Sequence, residues 1–466
     1  MKRKLALLLA AFAIAAPARA DEPPELAMPE PGEELSGGAT TVFQDGQNAF
    51  SLPLANIGRE NRRLHVVGNS FFNKPWVAAP ASTAGRDGLG PLFHAVSCSA
   101  CHTRDGRGAV PVDGELMTGL LFRLSVPGEG VHGSPKPHPV YGDQLAVRAI
   151  PGASPEGDVE IEYEEFAGRF GDGSPYRLRR PSYRLEPGEA YEADLDGIML
   201  GPRLAPPVHG VGLLEAVPEE AILARADPDD ADGDGISGRP NLVWDVVRKK
   251  TVLGRFGWKA NQPNVRQQTA AAFVGDMGIT SALFPGEAHT AAQRAVWKDV
   301  PESESPEVSD DILDKVVRYQ QTLAPPARRN WNDPNVRRGQ LLFAEAKCAA
   351  CHVPKLATAA DYGIAELAGQ TIRPYTDLLL HDMGEDLADG RPDFQAGAAE
   401  WRTPPLWGLG LNRAVNGVEN YLHDGRARTV EEAILWHGGE AEASREFYRE
   451  LPAADRDALL DFLDSL

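Results

Sequence analysis

From Val159 to Glu164 apolar and acidic residues alternate without a break, with Val159, Ile161 and Tyr163 on one face and Glu160, Glu162 and Glu164 on the other. A period of two puts successive side chains on opposite sides of a strand, so this stretch predicts a half-buried β-strand. Tyr176 to Leu185 repeats the alternation more weakly and predicts a second one. Elsewhere the period lengthens. Ser309 precedes a run with Ile312, Val316 and Leu323 on one face, closed by Pro325-Pro326, and predicts a helix over 309–323. Asn335 to Lys347 predicts another, carrying Val336, Leu342, Phe343 and Ala346. Ala453 to Leu466 predicts a third, amphipathic through Leu459, Leu460, Phe462 and Leu463. The first twenty residues differ in kind. A basic start (Met1-Lys2-Arg3-Lys4), an apolar run from Leu5 to Ala16 and a small-residue Ala18-Arg19-Ala20 form a secretory leader. Its ~12 apolar residues fall short of the ~20 that a membrane-spanning helix needs. The mature chain is therefore expected to begin near Asp21, to be exported to the periplasm and to have no membrane span.

Composition refines this picture. Gly 47 and Pro 38 predict short helices joined by long loops. Residues 1–20 contain four cations and no acid, so their removal takes the formal charge from −20 to −24. A chain that acidic repels nucleic acid and anionic lipid, and it can steer basic partners. The same charge also serves solubility alone.

All four cysteines lie in one pattern written twice, Cys98-Ser99-Ala100-Cys101-His102 and Cys348-Ala349-Ala350-Cys351-His352. Cys-x-x-Cys-His is the attachment site of a c-type haem. Two thiols one helical turn apart reach the two vinyl groups, and the adjacent His presents an imidazole nitrogen to the iron. For this composition a single chance occurrence is expected about one time in a thousand. A four-cysteine zinc site sets its pairs ~15–20 residues apart, whereas 246 residues separate these. Local disulfides remain an alternative on spacing alone. The reading is a chain with two covalently bound haems c. Its expected fold class is mainly α: two cytochrome c-like haem domains with a β-containing, loop-rich insertion. The expected division is a leader over 1–20, a wrapping segment over 21–57, a first haem domain over 58–325 with its insertion at about 103–250, and a second over 326–466.

The sixth iron position decides between carrier and catalyst. Met383 lies 31 residues after His352 and is a candidate for the second iron, although a lone Met also packs in cores. For the first iron, His132, His138 and His209 are available. Asp230-x-Asp232-x-Asp234-Gly235 has the first half of a calcium loop, but Asn241 stands at position twelve in place of the bidentate Glu. Calcium and a solvated Asp/Gly turn both fit.

Several blocks resemble the dihaem oxidoreductase family, whose members carry peroxidase or "thiol oxidoreductase" labels. They include Phe72-Asn73-Lys74-Pro75-Trp76-Val77, Arg86 to Phe93, Ser97 to Gly108, Gly210 to Ala216, Asp232 to Arg239, Glu400 to Gly408, and Leu422-His423-Asp424-Gly425-Arg426-Ala427. More distantly the chain is similar to bacterial dihaem cytochrome c peroxidases and to the dihaem enzyme of methylamine utilisation. That kinship implies Trp258 as an inter-haem electron relay, Gln268 as a pocket hydrogen-bonder and Asp276 as a proton shuttle. Asp stands where those relatives have Glu, it comes earlier, and their Asp-Gly-Arg after the Trp is absent. An ordinary helix with an exposed Asp276 is the competing reading. The kinship also favours Met383 on the second iron, with Tyr375 as the local counterpart of the methylamine enzyme's Tyr. The implied function is a peroxidase-like oxidoreductase, with electrons passing from a small cytochrome c or cupredoxin through the C-terminal haem to an N-terminal haem that meets hydrogen peroxide. The alternatives are a dihaem carrier without catalysis, or an oxidase of an organic or metal-ion substrate.

Overall fold

Two helix crossings, each made at a glycine, organise the chain. The computed structural model describes residues 30–466 apart from 84, 113–116 and 301–305; the leader expected over 1–20 lies outside the described residues. In the first crossing the helix Arg59–Asn73 packs on Asp310–Gln321. A Cβ on Gly68 would sit 2.0 Å from the Lys315 carbonyl oxygen, so only glycine allows this approach. In the second, Pro334–Glu345 packs on Ala453–Ser465, where a Cβ on Gly339 would sit 1.9 Å from the Ala458 carbonyl oxygen. Each Cys-x-x-Cys-His lies between the helices of one crossing in sequence. The predicted helices form where their signals lie. Ser309 accepts from the Ile312 amide at the start of one, and Asp333 caps another with Pro334 at its first position.

The expectation of a mainly α, cytochrome c-like fold is corrected. Helix makes up 29% of the described residues and strand 19%. The described strands form six two-stranded antiparallel sheets. Proline removes helix hydrogen bonds and glycine raises the entropic cost of forming a helix, so a chain this rich in both divides into short pieces. The longest described helix has 15 residues.

The largest sheet is the hairpin predicted from the alternation. Gly157–Arg169 pairs with Pro175–Pro187, 13 residues each, with Val159 opposite Leu185 and Ile161 opposite Tyr183. Its base packs with Leu120, Phe122 and Leu204 in one apolar cluster. Its far end reaches the second crossing, where Phe170 and Leu178 pack with Leu435, Tyr448 and Leu451. Residues 33–54 of the expected wrapping segment contact residues 322–328, between the helices Asp310–Gln321 and Pro334–Glu345. The Val42 amide donates to Pro325 and the Leu54 amide to Thr322, and Glu33 pairs with the buried Arg328 at 2.7 Å. No described helix is long and apolar enough to cross a membrane.

Candidate functional site

Each Cys-x-x-Cys-His lines its own cavity. All four thiols are unpaired, and burial pushes Cys98 and Cys348 up to about 12. His102 follows a single helical turn, Cys98–Cys101. Its Nδ1 is 2.7 Å from the Pro206 carbonyl oxygen. His352 repeats this, with Nδ1 2.9 Å from the Tyr375 carbonyl oxygen. A carbonyl accepts only from a protonated Nδ1, which leaves the Nε2 lone pair free to bind a metal. Burial lowers the pKa of both rings, His352 to about 4, and keeps them neutral.

A third histidine has the same arrangement. The helix Val430–Leu435, capped by Thr429, ends just before His437. The Nδ1 of His437 is 2.7 Å from the Ala433 carbonyl oxygen one turn back. The ring is half-buried and lines the second cavity with His352, and the two imidazoles are close enough for charge on one to bear on the other. Sequence reasoning missed this residue. The remaining histidines are held differently. His65 meets a hydroxyl, and His94, His138 and His209 meet carbonyls through Nε2. His132 is exposed and stacks on Trp244, His289 and His381 pair with carboxylates, and His423 stacks on Trp401 with its Nε2 3.6 Å from the Asp424 carboxylate. Of the three proposed for the first iron, only His209 lines that cavity.

The two cavities share a wall. Trp258, Arg107, Arg402, Pro404, Pro405 and Leu409 line both. The Trp258 indole N–H donates to the Leu204 carbonyl at 2.7 Å, which fixes the ring. Arg107 stacks its guanidinium 5.5 Å from that ring. The described guanidinium hydrogen bonds of Arg107 go to the Asn420 and Leu422 carbonyls, and those of Arg402 to the Gly257 and Thr403 carbonyls. Burial lowers both to about 10, so they stay cationic at neutral pH. Neither guanidinium has a described hydrogen bond to a carboxylate, although Asp377 lies near enough to raise the pKa of Arg402, and inward-facing cations held this way can take anionic partners. The propionates at a haem edge are such partners, so the residues present fit the group. Gln268 Oε1 in the first cavity is buried without a hydrogen-bond partner.

Gln268 and Asp276 come from the helix Val265–Met277, capped by Asn264. With Ala272 they recur at four-residue spacing and line the first cavity with Trp258. Asp276 is half-buried rather than exposed, and its carboxylate accepts from Gln144 Nε2 at 3.0 Å. Met383 lines the second cavity and packs against its apolar cluster. Tyr375 is buried beside Phe343 and holds His352 through its carbonyl. In the acidic loop, Asp230 and Asp232 converge with Asp227, while Asp234 lies outside that convergence. Asn241 is buried elsewhere, donating to the Lys259 and Asp393 carbonyls.

No curated protein and no solved structure matches the chain. A family model described as "di-haem oxidoreductase, putative peroxidase" matches residues 32–466. Two cavities, each with a cavity-facing imidazole and a share in a cationic wall, accord with that description, and the protein belongs to the di-haem oxidoreductase family.

Proposed function

We propose that the protein is an exported, periplasmic oxidoreductase of peroxidase type, with one haem c covalently held by each Cys-x-x-Cys-His in units spanning 58–325 and 326–466. Electrons enter from a small donor through the C-terminal site and reach a reactive N-terminal one. The observation that carries this reading is the difference between the two cavities. The second has two imidazoles tied through Nδ1 to carbonyls on its wall, His352 and His437, whereas the first has one, His102, with Gln268 and Asp276 beside it and with His209 tied through Nε2 instead. When bound, the haems supply the irons that store single electrons and meet the oxidant.

The chain's own groups do the rest. Breaking a peroxide O–O bond needs one group to take a proton from one oxygen and return it to the other. The Asp276 carboxylate can do this, held by its hydrogen bond from Gln144. The Gln268 amide oxygen offers an acceptor that orients the oxidant. Trp258, fixed in the common wall, provides the short aromatic path between the sites. The acidic surface favours a basic donor such as a small cytochrome c or a cupredoxin. The test is stopped-flow mixing of the half-reduced holoprotein with hydrogen peroxide. Rapid oxidation, slowed by Trp258→Phe only in the inter-haem phase, is the expected result. Indifference to peroxide overturns the peroxidase reading and leaves a carrier or an oxidase of another substrate.

A further inference from the structure

The geometry points to His437 as the second protein ligand of the C-terminal haem iron, making that site bis-histidine. This rests on the two-haem reading above and names a residue that neither spacing nor resemblance had singled out. Among the eleven histidines of the chain, three share one arrangement. Nδ1 is tied to a main-chain carbonyl, at 2.7 Å in His102, 2.9 Å in His352 and 2.7 Å in His437. Each ring is half-buried and lines a haem-site cavity. A ligating imidazole needs this arrangement, because the second hydrogen bond fixes the tautomer and holds the ring in place. Two of the three are the motif histidines. The third faces the cavity of one of them.

The position of His437 is rigid as well as apt. Its amide donates to Ile434 at 3.0 Å, and its ring donates to Ala433, so the end of the helix Val430–Leu435 holds it twice. Val430, Ala433 and Ile434 precede it on the same cavity wall at helical spacing. Met383 is a neighbour: its carbonyl oxygen would lie 3.0 Å from a Cβ on Gly438. It therefore approaches the same region, but its thioether packs among apolar groups and has no comparable anchor. With two nitrogen donors the second site has a lower potential than His/Met ligation would give it, which suits a site that passes electrons onward. In the first cavity the other imidazole, His209, is tied through Nε2 rather than Nδ1, so the arrangement shared by His102, His352 and His437 is not repeated there.

The experiment uses the holoprotein, with the haem count per chain measured first in every variant. Electron paramagnetic resonance and near-infrared spectra of the oxidised wild type are expected to show a low-spin second haem without the sulfur-to-iron charge-transfer band. His437→Ala should convert that one haem to high spin, and added imidazole should restore it at one equivalent per chain. Met383→Leu should leave the spectrum unchanged. His437→Met, which keeps a ligating side chain if the alanine variant fails to fold, should introduce the sulfur band and raise the potential. A sulfur band in the wild type, lost in Met383→Leu and untouched by His437→Ala, overturns the assignment while leaving two haems in place. A wild type with no haem on Cys348 and Cys351 overturns the two-haem reading itself, and the haem count separates that case from the first.

Discussion

Asp276 sits on the same helix face as Gln268 two turns away, and its carboxylate meets an amide donor at the edge of the first cavity. A positioned acid/base contributes roughly 10²–10⁴-fold, so Asp276→Asn should slow peroxide consumption by about that factor with both haem spectra intact. Turnover equal to wild type would remove Asp276 from the chemistry. At this scale the sequence was uneven. Two repeats of Cys-x-x-Cys-His stand out because the attachment proposed for them would need a fixed local spacing. Trp258, Gln268 and Asp276 emerged through resemblance, because their roles depend on distant segments meeting. His437 was illegible: its distinguishing feature is a ring nitrogen on a carbonyl and a cavity shared with a residue 85 positions earlier. Arg107 and Arg402 were equally silent, since the sequence does not say which arginines fold inward onto main-chain carbonyls.

The hairpin 157–187 was legible because alternation is a local property, while its destination was not. Phe170 is buried among Leu435, Tyr448 and Leu451, with the Arg456 guanidinium 3.9 Å from its ring. Phe170→Ala should cost about 3–5 kcal/mol, read as a lower denaturation midpoint at an unchanged haem count. The hairpin base has its own sensitivity. Glu156, fully buried, accepts from the Ala146 amide and the Gln293 side chain, and burial pushes its carboxyl from 4.5 to about 8. Below pH 4.5 the folded and unfolded chains both hold this proton. Between 4.5 and about 8 only the folded chain does, so the contribution to stability is lost as pH rises through that window. Thermal midpoints measured from pH 5 to 8 should fall more steeply in wild type than in Glu156→Gln. Equal slopes would show that Glu156 is ionised throughout. The mainly α expectation failed for a related reason. Helix signals were read where they are strongest, and the many two-stranded ribbons carry too few residues to show a period.

Across the whole molecule the common wall makes the two sites one electrical unit. Arg107 borders both cavities and is cationic in each. Removing a nearby cation favours the oxidised, more positive iron, so Arg107→Met should lower both haem potentials. Spectroelectrochemical titration checks this, and a shift at one haem alone would mean that Arg107 serves one site. The hairpin, for its part, imposes an order in time. Synthesis delivers Phe170 and Leu178 long before the residues that bury them: Asp172 meets Arg456 across a separation of 284 residues. Until the C-terminal segment arrives, a twisted two-stranded ribbon presents apolar side chains and open edges, the surface that drives chains to associate with one another. The nascent protein therefore passes through a sticky, half-made stage whose length is set by the distance along the chain. Its yield in the cell depends on how well that stage is shielded as well as on the stability of the finished fold.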